Sequence, residues 1–406
     1  MANSDTQTAL AFHDATKLNY INLLTKPALY KSYPGVNQIL LPEAEPPGTS
    51  ALDAILGPAV SPAASLGVAG IAQLLHYSAG LIRKRDLLVA GEVHYRAAAS
   101  AGALYPIELY LVCGELHGLR AGVYHYSPAD NALTELRVGD FRGNLASAAA
   151  DESLASTPAI VASTAVFWRS AWKYRTRGYR YCFWDNGTVL SNLLAVANSL
   201  GHPARVLAGF VDADVDKLFG VDSEQEASTC LVALGQDSGV QPYVVKALAE
   251  IDRGDLCFSD PIDYPDSARF HAESCLGSAD EVHAWRGHTH DQETRFLTDA
   301  ESGSLGDAIL DRGSTRRFSR EEISLAELTA LLAASSANIS TDFGVGLTEP
   351  YLIVNAVAGL TPGAYHLSRE TGGLELLKEG EFRDCLLYTS PSPRDQRGSG
   401  VGGGAG

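Results

Sequence analysis

The sequence predicts an α+β fold in which strands and helices build two related domains in tandem, the second of them truncated. Three observations support this prediction. Short segments rich in β-branched and aromatic residues predict strands, one apolar stretch has helical spacing, and a set of residues recurs at a constant distance along the chain. A chain of 406 residues, 46% of them hydrophobic, is long enough to bury two cores.

The first globular pattern runs from residue 51 to about residue 236. Three segments have the composition of strands: 108–112, 160–164 and 229–234. Segment 189–200 is predicted to be a buried helix because Leu190, Leu193 and Leu194 follow helical spacing. Gly201 and Pro203 are expected to end it.

A second globular pattern begins at about Leu305. Ser324 and Glu327 have the spacing of a capping box, in which each residue caps the backbone of the other. This pair predicts a helix that starts there and carries an apolar stripe of Leu325, Leu328 and Leu331.

An internal repeat relates the two patterns. Residues 110–112 and 122–125 (YLV and GVYH) recur as YLI and GAYH at 351–353 and 363–366, an offset of 241 positions. The same offset matches Leu133, Gly139, Phe141 and Arg142 to Leu374, Gly380, Phe382 and Arg383. Upstream, 54–56 matches 308–310 at a longer offset of 254, so the first copy has additional residues between the two matches. One strand–turn–strand unit therefore occurs twice.

The composition excludes some functions. A net charge of −17 disfavours nucleic acid and anionic membranes as partners, although a local cationic pocket could still hold one phosphorylated cofactor. The six cysteines form no C-x-x-C pair, which favours a reducing compartment without a zinc site. Without an apolar stretch of about eighteen residues or a signal-like N-terminus, we expect a soluble cytoplasmic protein.

Five segments are predicted from these patterns. They are an N-terminal extension (1–50), a first domain (51–236), a connecting region (237–304), a partial second domain (305–384) and a tail (385–406). The connecting region has an H-T-H triplet at 288–290. Two histidines at this spacing share a face only in a strand, and no cluster of Cys or carboxylates accompanies them, so we expect no metal.

The tail is expected to be foreign to the protein. The repeat breaks at Cys385, in the middle of the second domain, and C-L-L-Y-T-S-P-S-P-R-D then leads into a glycine-rich run. This string resembles an in-frame translation of a sequencing adapter. A natural disordered tail is the alternative, because Ser, Pro and Gly suit one. We expect the tail to pack on nothing and the natural chain to be longer.

Residues 312–318 read R-G-S-T-R-R-F and precede the predicted capped helix. Their three guanidinium groups and two hydroxyls suit a phosphate dianion, which arginine binds through charge-assisted and partly bidentate hydrogen bonds. The alternative is a solvated basic turn.

Residues 96–108 read R-A-A-A-S-A-G-A-L-Y-P-I-E. The small side chains from 97 to 103 permit a close approach of the backbone to a flat ring. The alternative is a tightly packed turn before a strand.

Residues 172–181 read W-K-Y-R-T-R-G-Y-R-Y. Alternating aromatics and cations can bind nucleic acid, which the acidic chain disfavours. Another alternative is a helix whose aromatics pack and whose arginines extend to solvent. A lysine desolvated between aromatic rings loses its proton more easily, so Lys173 can act as a base.

These three strings resemble signatures of the nitroreductase superfamily. The second and third, with Asp185 and Gly187 following, are similar to those of its SagB-type azoline dehydrogenases. The resemblance covers 50–236 well, 305–384 in part and 237–304 not at all. It implies a nitroreductase-like fold, with a mixed and mostly antiparallel sheet flanked by helices, and an FMN cofactor.

The resemblance also implies roles for individual residues. Contacts to the FMN phosphate and ribityl chain fall to Arg312, Ser314 and Arg316. The flavin ring is expected to be covered by Ser100, Ala101, Gly102, Ala103, Leu104 and Tyr105. Lys173 and Tyr174 are expected to transfer protons while an azoline is oxidised. Many nitroreductases have Asn where Ala103 stands, so no ring hydrogen bond is implied there.

The two domains carry complementary halves of this machinery. The first has no R-x-S-x-R string, and the second has no S-A-G-A-L-Y-P string. Superfamily dimers build each FMN site from both subunits. We therefore expect one composite FMN site per chain, formed within an intramolecular pseudo-dimer.

The leading functional hypothesis is an FMN-dependent oxidoreductase that oxidises azoline or related heterocycles in small molecules or peptides, with peptide-modification proteins as partners. An NAD(P)H-dependent nitro or quinone reductase is a second enzyme hypothesis, although no G-x-G-x-x-G string follows a strand. A flavin-free binding or scaffold protein is the third hypothesis.

Overall fold

The computed structural model describes residues 23–57, 65–87, 91–236, 242–251, 253–258, 261–286, 298, 300–315, 319–344 and 347–383. The predicted tail and the H-T-H triplet lie outside these residues. The strands are β1 (Gln38–Leu40), β2 (Leu81–Leu87), β3 (Gly91–Arg96), β4 (Ile107–Cys113), β5 (Gly122–Ser127), β6 (Ala132–Val138), β7 (Ala159–Val166), β8 (Ala204–Leu207), β9 (Glu226–Leu234), β10 (Tyr351–Val354), β11 (Gly363–Leu367) and β12 (Leu374–Glu379). The helices are α1 (Ala51–Leu56), α2 (Val68–Ala79), α3 (Arg142–Ala148), α4 (Phe167–Tyr174), α5 (Gly178–Ser199), α6 (Asp212–Phe219), α7 (Pro265–Ser274), α8 (Ala279–Arg286), α9 (Leu305–Asp311) and α10 (Leu325–Ser335).

The main sheet has seven strands in the order β1-β6-β5-β4-β7-β9-β8, and neighbouring strands pair antiparallel. Its central strands β4, β7 and β9 contain the three segments predicted from their composition. The side chains of β4 and β7 are buried throughout, which explains their continuous run of β-branched, aromatic and small residues. The predicted α+β fold is confirmed.

Helices cover both faces of this sheet. Successive residues of β4 point to opposite faces, so Leu111 enters the core beneath α2 and α5, whereas Val112 enters the core beneath α3 and α6. The predicted helix at 189–200 lies within α5, and Val189, Leu193 and Val196 are buried as expected. This helix begins at Gly178, eleven positions before the predicted start.

The second copy repeats the strand pairing of the first in detail. Tyr110 pairs with His125 between β4 and β5, and Tyr351 pairs with His366 between β10 and β11, so both partners are displaced by 241 positions. A β-bulge follows Val123 in β5 and Ala364 in β11, again at this offset. The repeat inferred from the sequence is therefore a repeat of backbone hydrogen bonds.

The outer face of the second copy is exposed where that of the first is covered. Tyr110 is 0% exposed, but its counterpart Tyr351 is 68% exposed. In the first copy β7 pairs with β4 and two helices cover this face; within the described residues β10 is the edge of a three-stranded sheet. The capping box at the start of α10 is confirmed, but Leu328 is the buried member of its predicted apolar stripe, with Leu325 and Leu331 exposed.

Helices α1 and α9 meet with local two-fold symmetry. Ala51 N donates to Gly303 O, and Leu305 N donates to Thr49 O, so each hydrogen bond is the other displaced by 254 positions. Ser50 thus pairs with its own counterpart, Ser304. Two equal surfaces that contact each other in this way form the pattern of a symmetric dimer interface, here within one chain.

The segments predicted as extension and connecting region pack on the first domain. In the N-terminal segment β1 joins the sheet beside β6, and Lys31 is buried with its Nζ 2.6 Å from Glu226 Oε2. In the connecting region, α7 and α8 are helices that the sequence analysis did not predict. Tyr179 Oη of α5 lies 3.3 Å from His271 Nδ1 of α7.

Three chemical properties of the described residues bear on the site. Their five cysteines are free thiols. None of their helices combines the length and the hydropathy that crossing a membrane requires. No three of their His, Cys, Asp or Glu side chains come close enough together to hold a metal ion.

Candidate active site

The segment from Ser100 to Tyr105 is a strained turn between β3 and β4. Gly102 has a φ of +68°, Ala103 of +55° and Tyr105 of +47°. A residue other than glycine in this region costs on the order of 1–3 kcal/mol, so surrounding contacts must hold the turn in place. One such contact is internal, since Tyr105 N donates to Ser100 Oγ over 2.8 Å.

Helix α5 anchors the same turn from below. Asp185 accepts hydrogen bonds from Ser100 Oγ at 2.6 Å and from Ala101 N at 3.0 Å, and Thr188 Oγ1 donates to Ala99 O at 2.6 Å. Asp185 is buried, and this burial raises its pKa to about 6, although both donors favour the ionised form.

Lys173 and Tyr174 lie at the end of α4, against the same turn. A Cβ atom added at Gly102 would lie 2.9 Å from Tyr174 Oη and 3.0 Å from Lys173 Nζ. The second and third sequence motifs therefore meet at Gly102, where there is room only for a hydrogen atom. Lys173 is half-buried, and its Nζ lies 5.4 Å from the centre of the Tyr174 ring.

The sharp break between α4 and α5 sets the direction of this pair. Arg175, directly after Tyr174, has a φ of +52°. Gly178 then packs on the preceding helix so closely that a Cβ atom there would lie 2.6 Å from Ala171 N. The glycine of the third motif thus allows α5 to start against α4, which brings Lys173 and Asp185 to the same turn.

The two ends of the second motif form a buried charged frame. Arg96 packs between the rings of Tyr30 and Tyr105, with its guanidinium 5.0 and 5.1 Å from their centres. Glu108 forms an ion pair with Arg169, and its Oε2 lies 2.8 Å from His125 Nε2. Burial alone would raise the pKa of Glu108, but Arg169 and His125 outweigh this effect and hold the pKa well below its ordinary value.

Arg312 approaches the turn from the second copy. Its Nη2 donates to Arg96 O at 3.4 Å, and its charge opposes the rise that burial causes in the pKa of Tyr105. Its Nε is buried and has no hydrogen-bond partner among the described residues. A buried guanidinium N–H without a protein acceptor fits a site for an anionic oxygen.

The other predicted site residues differ in placement. Ser314 is exposed, and Arg316 lies outside the described residues. Leu104 and Tyr105 are buried, with Leu104 only 1% exposed, so the Leu104 side chain contributes to packing. Ser100, Ala101 and Ala103 are partly buried and line the turn.

The contacts of Asp185 and Glu108 were not predicted from the sequence. Asp185 lies one turn before Val189, on the buried stripe of α5, and a carboxylate on an apolar stripe indicates a buried hydrogen-bonded group. Glu108 lies in an otherwise apolar strand, which carries the same signal.

Part of the chain is similar to known proteins. Residues 71–236 match the model of the nitroreductase family. The microcin B17-processing protein McbC of Escherichia coli is 32% identical over 138 residues, which are 32% of this chain and 51% of that protein. The trifolitoxin-processing protein TfxB of Rhizobium leguminosarum bv. trifolii is 31% identical over 141 residues, which are 32% of this chain and 37% of that protein. The chain thus spans about half the length of McbC and less of TfxB.

The fold extends beyond the matched segment. A crystal structure of a nitroreductase from Anabaena variabilis superposes with a TM-score of 0.71 at 23% identity, over 94% of this chain and 80% of that one. At this identity the match shows the fold alone, and its coverage includes most of the second copy. Residues 71–236 therefore match the nitroreductase family, in a chain with a nitroreductase-like fold.

Proposed function

We propose that this protein is an FMN-dependent oxidoreductase that oxidises azoline or related heterocycles in peptides or small molecules. The observation that carries the proposal is the meeting of Lys173 Nζ and Tyr174 Oη at Gly102, inside the turn of the second motif. Two proton-transfer groups against a glycine suit a reaction in which a flat ring approaches the backbone and loses a proton.

The residues present fit FMN. Arg312 offers a buried N–H that has no acceptor among the described residues, and its guanidinium is suited to a phosphate. Ser314 and Arg316 would complete this grip. Residues 100–105 would cover the flavin ring, whose chemical contribution when bound is to accept a hydride.

Each protein group then has a defined task. Lys173 removes the proton from the azoline ring carbon, and Tyr174 relays it towards solvent. One proton leaves a ring carbon of the azoline and one hydride leaves the neighbouring ring carbon, so the carbon–carbon single bond between them becomes a double bond and the ring becomes an aromatic azole. Dioxygen, a two-electron acceptor, can serve as the oxidant in an assay.

The names of two relatives support a processing role, since McbC is a microcin B17-processing protein and TfxB is a trifolitoxin-processing protein. We extend the proposal to peptide-modification proteins as partners and to a cytoplasmic location. The local two-fold pairing of α1 with α9 supports the intramolecular pseudo-dimer, and the approach of Arg312 to Arg96 supports one composite site per chain.

The decisive experiment uses the purified protein, FMN and a synthetic peptide that contains one thiazoline. Flavin absorbance bands and the appearance of thiazole absorbance under air are the expected results. Oxidation of NADPH with a quinone or nitroarene, but no thiazole, would support the nitro or quinone reductase instead. Absence of flavin binding at saturating FMN would leave the binding or scaffold protein as the function.

A further inference from the structure

The turn that carries Gly102 needs an outside restraint. Gly102, Ala103 and Tyr105 all have positive φ, and two of them carry side chains. Hydrogen bonds tie the start of this turn to α5: Ser100 Oγ and Ala101 N donate to Asp185, and Thr188 Oγ1 donates to Ala99 O. A small shift of this turn changes the position of Gly102 relative to Lys173 and Tyr174, because these groups are already in contact distance.

The hydrogen bonds at Ser100 determine where its hydroxyl proton points. Ser100 Oγ accepts from Tyr105 N, so its single hydroxyl proton points to Asp185 Oδ2. Ala101 N donates to Asp185 Oδ1. A carboxylate accepts both bonds, whereas a protonated carboxyl places a hydrogen on one of the two oxygens that face these donors.

We propose that Asp185 is a positioning residue whose ionised carboxylate holds the turn at 100–105 in the conformation that sets Gly102 against Lys173 and Tyr174. The part of this statement that concerns catalysis rests on the proposed function. The part that concerns the turn rests on the hydrogen bonds alone.

The surroundings of Asp185 make this restraint dependent on pH. Among the described residues no cation balances the carboxylate, so burial raises its pKa to about 6. Cys182 faces it from its own helix, and Arg96 and Tyr105 line the same small cavity. Lys173 and Tyr174 lie beyond Gly102. Between pH 7 and pH 5 the ionised fraction of such a group falls about tenfold.

The test measures amide hydrogen exchange of residues 99–105 in the purified full chain from pH 5 to pH 8, corrected for the intrinsic pH dependence of exchange. Opening of the turn removes the donors Ser100 and Ala101 but leaves Asp185 buried on α5, so it raises the pKa of Asp185 further and the closed turn is favoured by the ionised form. We therefore expect protection to fall in a step as the pH drops through about 6. Global unfolding differs, because it exposes Asp185 and returns its pKa to the ordinary value. Asp185→Asn should remove this step. Thr188→Val should lower protection at every pH but keep the step, because it removes a neutral anchor of the same turn.

Ser100→Ala provides an independent variant, in which loss of the hydroxyl proton should shrink the step. A wild-type profile that is flat from pH 5 to pH 8, or a step that persists in Asp185→Asn, overturns the proposal. With FMN and the thiazoline peptide, kcat/KM should show an acid limb near pH 6 that Asp185→Asn lacks. Failure of the wild type to oxidise the peptide would contradict the proposed function, while the exchange profile still decides the role of Asp185.

Discussion

At the scale of single residues, the candidate chemistry depends on one helix end. Lys173 and Tyr174 are consecutive, so their side chains would diverge by about 100° in a regular helix. Both nevertheless lie within about 3 Å of one point, the missing Cβ of Gly102. The end of α4 at Tyr174 and the positive φ of Arg175 release the chain from helical geometry there. The two groups that we propose as base and proton relay thereby share one contact on the turn.

Replacing Lys173 tests the base directly. Lys173→Ala should lower kcat for thiazoline oxidation by about 10²–10⁴-fold, because a general base is removed. The Kd for FMN, measured by quenching of flavin fluorescence, should be unchanged. Lys217→Ala, an exposed lysine of α6, serves as the control and should keep full activity. Loss of FMN binding in Lys173→Ala would make Lys173 a cofactor-binding residue instead.

Asp185 is predicted to lower stability at neutral pH. Its folded pKa of about 6 is above its ordinary value of 3.8, because the protonated carboxyl is easier to bury. The stability that this protonation gives to the folded state is complete below pH 3.8 and is lost as the pH rises through 6. At neutral pH the buried charge therefore costs the wild type about 3 kcal/mol of stability. Asp185→Asn avoids this cost but loses hydrogen bonds worth about 1 kcal/mol. The variant should therefore unfold with a free energy about 1–2 kcal/mol higher at pH 7.5.

Urea denaturation at pH 7.5 and pH 4 checks this expectation. The advantage of Asp185→Asn should disappear at pH 4, where the folded wild type is already neutral at this position. Asp86→Asn, at an exposed carboxylate of β2, should change the free energy of unfolding by less than about 0.5 kcal/mol. An Asp185→Asn protein that is less stable than the wild type at pH 7.5 would rule out a desolvated charge.

At the scale of elements, the strands and helices with a strong apolar pattern were predictable from the sequence, and those with a weak pattern were not. The central strands and the second half of α5 are buried, so their composition records the packing. The first half of α5 carries charged and aromatic residues without a clear apolar stripe, so the sequence did not predict that the helix begins there. Helix α7 is mostly exposed, with His271 as its buried residue, and offers no apolar stripe to detect. The repeat was predictable because it conserves turn glycines and strand residues in register.

The motifs of the site could be identified in the sequence, but the contacts that bring them together could not be predicted from it. The strings around Gly102, Lys173 and Arg312 stand out by composition. Their meeting depends on long-range contacts, such as that of Asp185 with Ser100, which no local pattern specifies. Lys31 lies in the predicted N-terminal extension, yet it is buried with its Nζ beside Glu226 of β9. The sequence does not predict this placement, because an isolated lysine normally indicates surface.

The turn itself is testable through Gly102. In Gly102→Ala the new Cβ would meet Tyr174 Oη at 2.9 Å and Lys173 Nζ at 3.0 Å, at a φ of +68°. We expect a loss of about 1–3 kcal/mol in stability from the backbone conformation. Displacement of the two side chains by about 1 Å should lower kcat for thiazoline oxidation by about 10²-fold.

Gly48→Ala provides the matched control for this substitution. Gly48 has no heavy atom within 4 Å of its added Cβ, and it is not at positive φ. Both stability and kcat should therefore stay near the wild-type values. Full activity in Gly102→Ala would show that the close contact at this turn has no part in the reaction.

At the scale of the whole molecule, the two copies have diverged in what they expose and in what they contribute. The first copy has a sheet covered on both faces and carries the turn, the lysine and the tyrosine. The second copy has a small core around Leu328, Val354 and Tyr365 and an exposed outer face. Its contribution to the candidate site is the segment that follows α9, where Arg312 reaches Arg96. The paired ends of α1 and α9 hold that segment beside the first copy.

The composite site makes a prediction that separates the copies. Arg312→Ala removes the guanidinium whose buried Nε has no partner among the described residues. If that group binds the FMN phosphate, its loss should raise the Kd for FMN by about 10–30-fold, which corresponds to one charge-assisted hydrogen bond of about 1.5–2 kcal/mol. Arg320→Ala, at an exposed arginine a few positions later, should leave the Kd unchanged and controls for net charge.

Raising the salt concentration should weaken FMN binding by the wild type more than by Arg312→Ala, because the variant has lost a phosphate contact that ions screen. Equal affinities of Arg312→Ala and wild type would mean that the second copy does not hold the phosphate, and the site would then belong to the first copy alone.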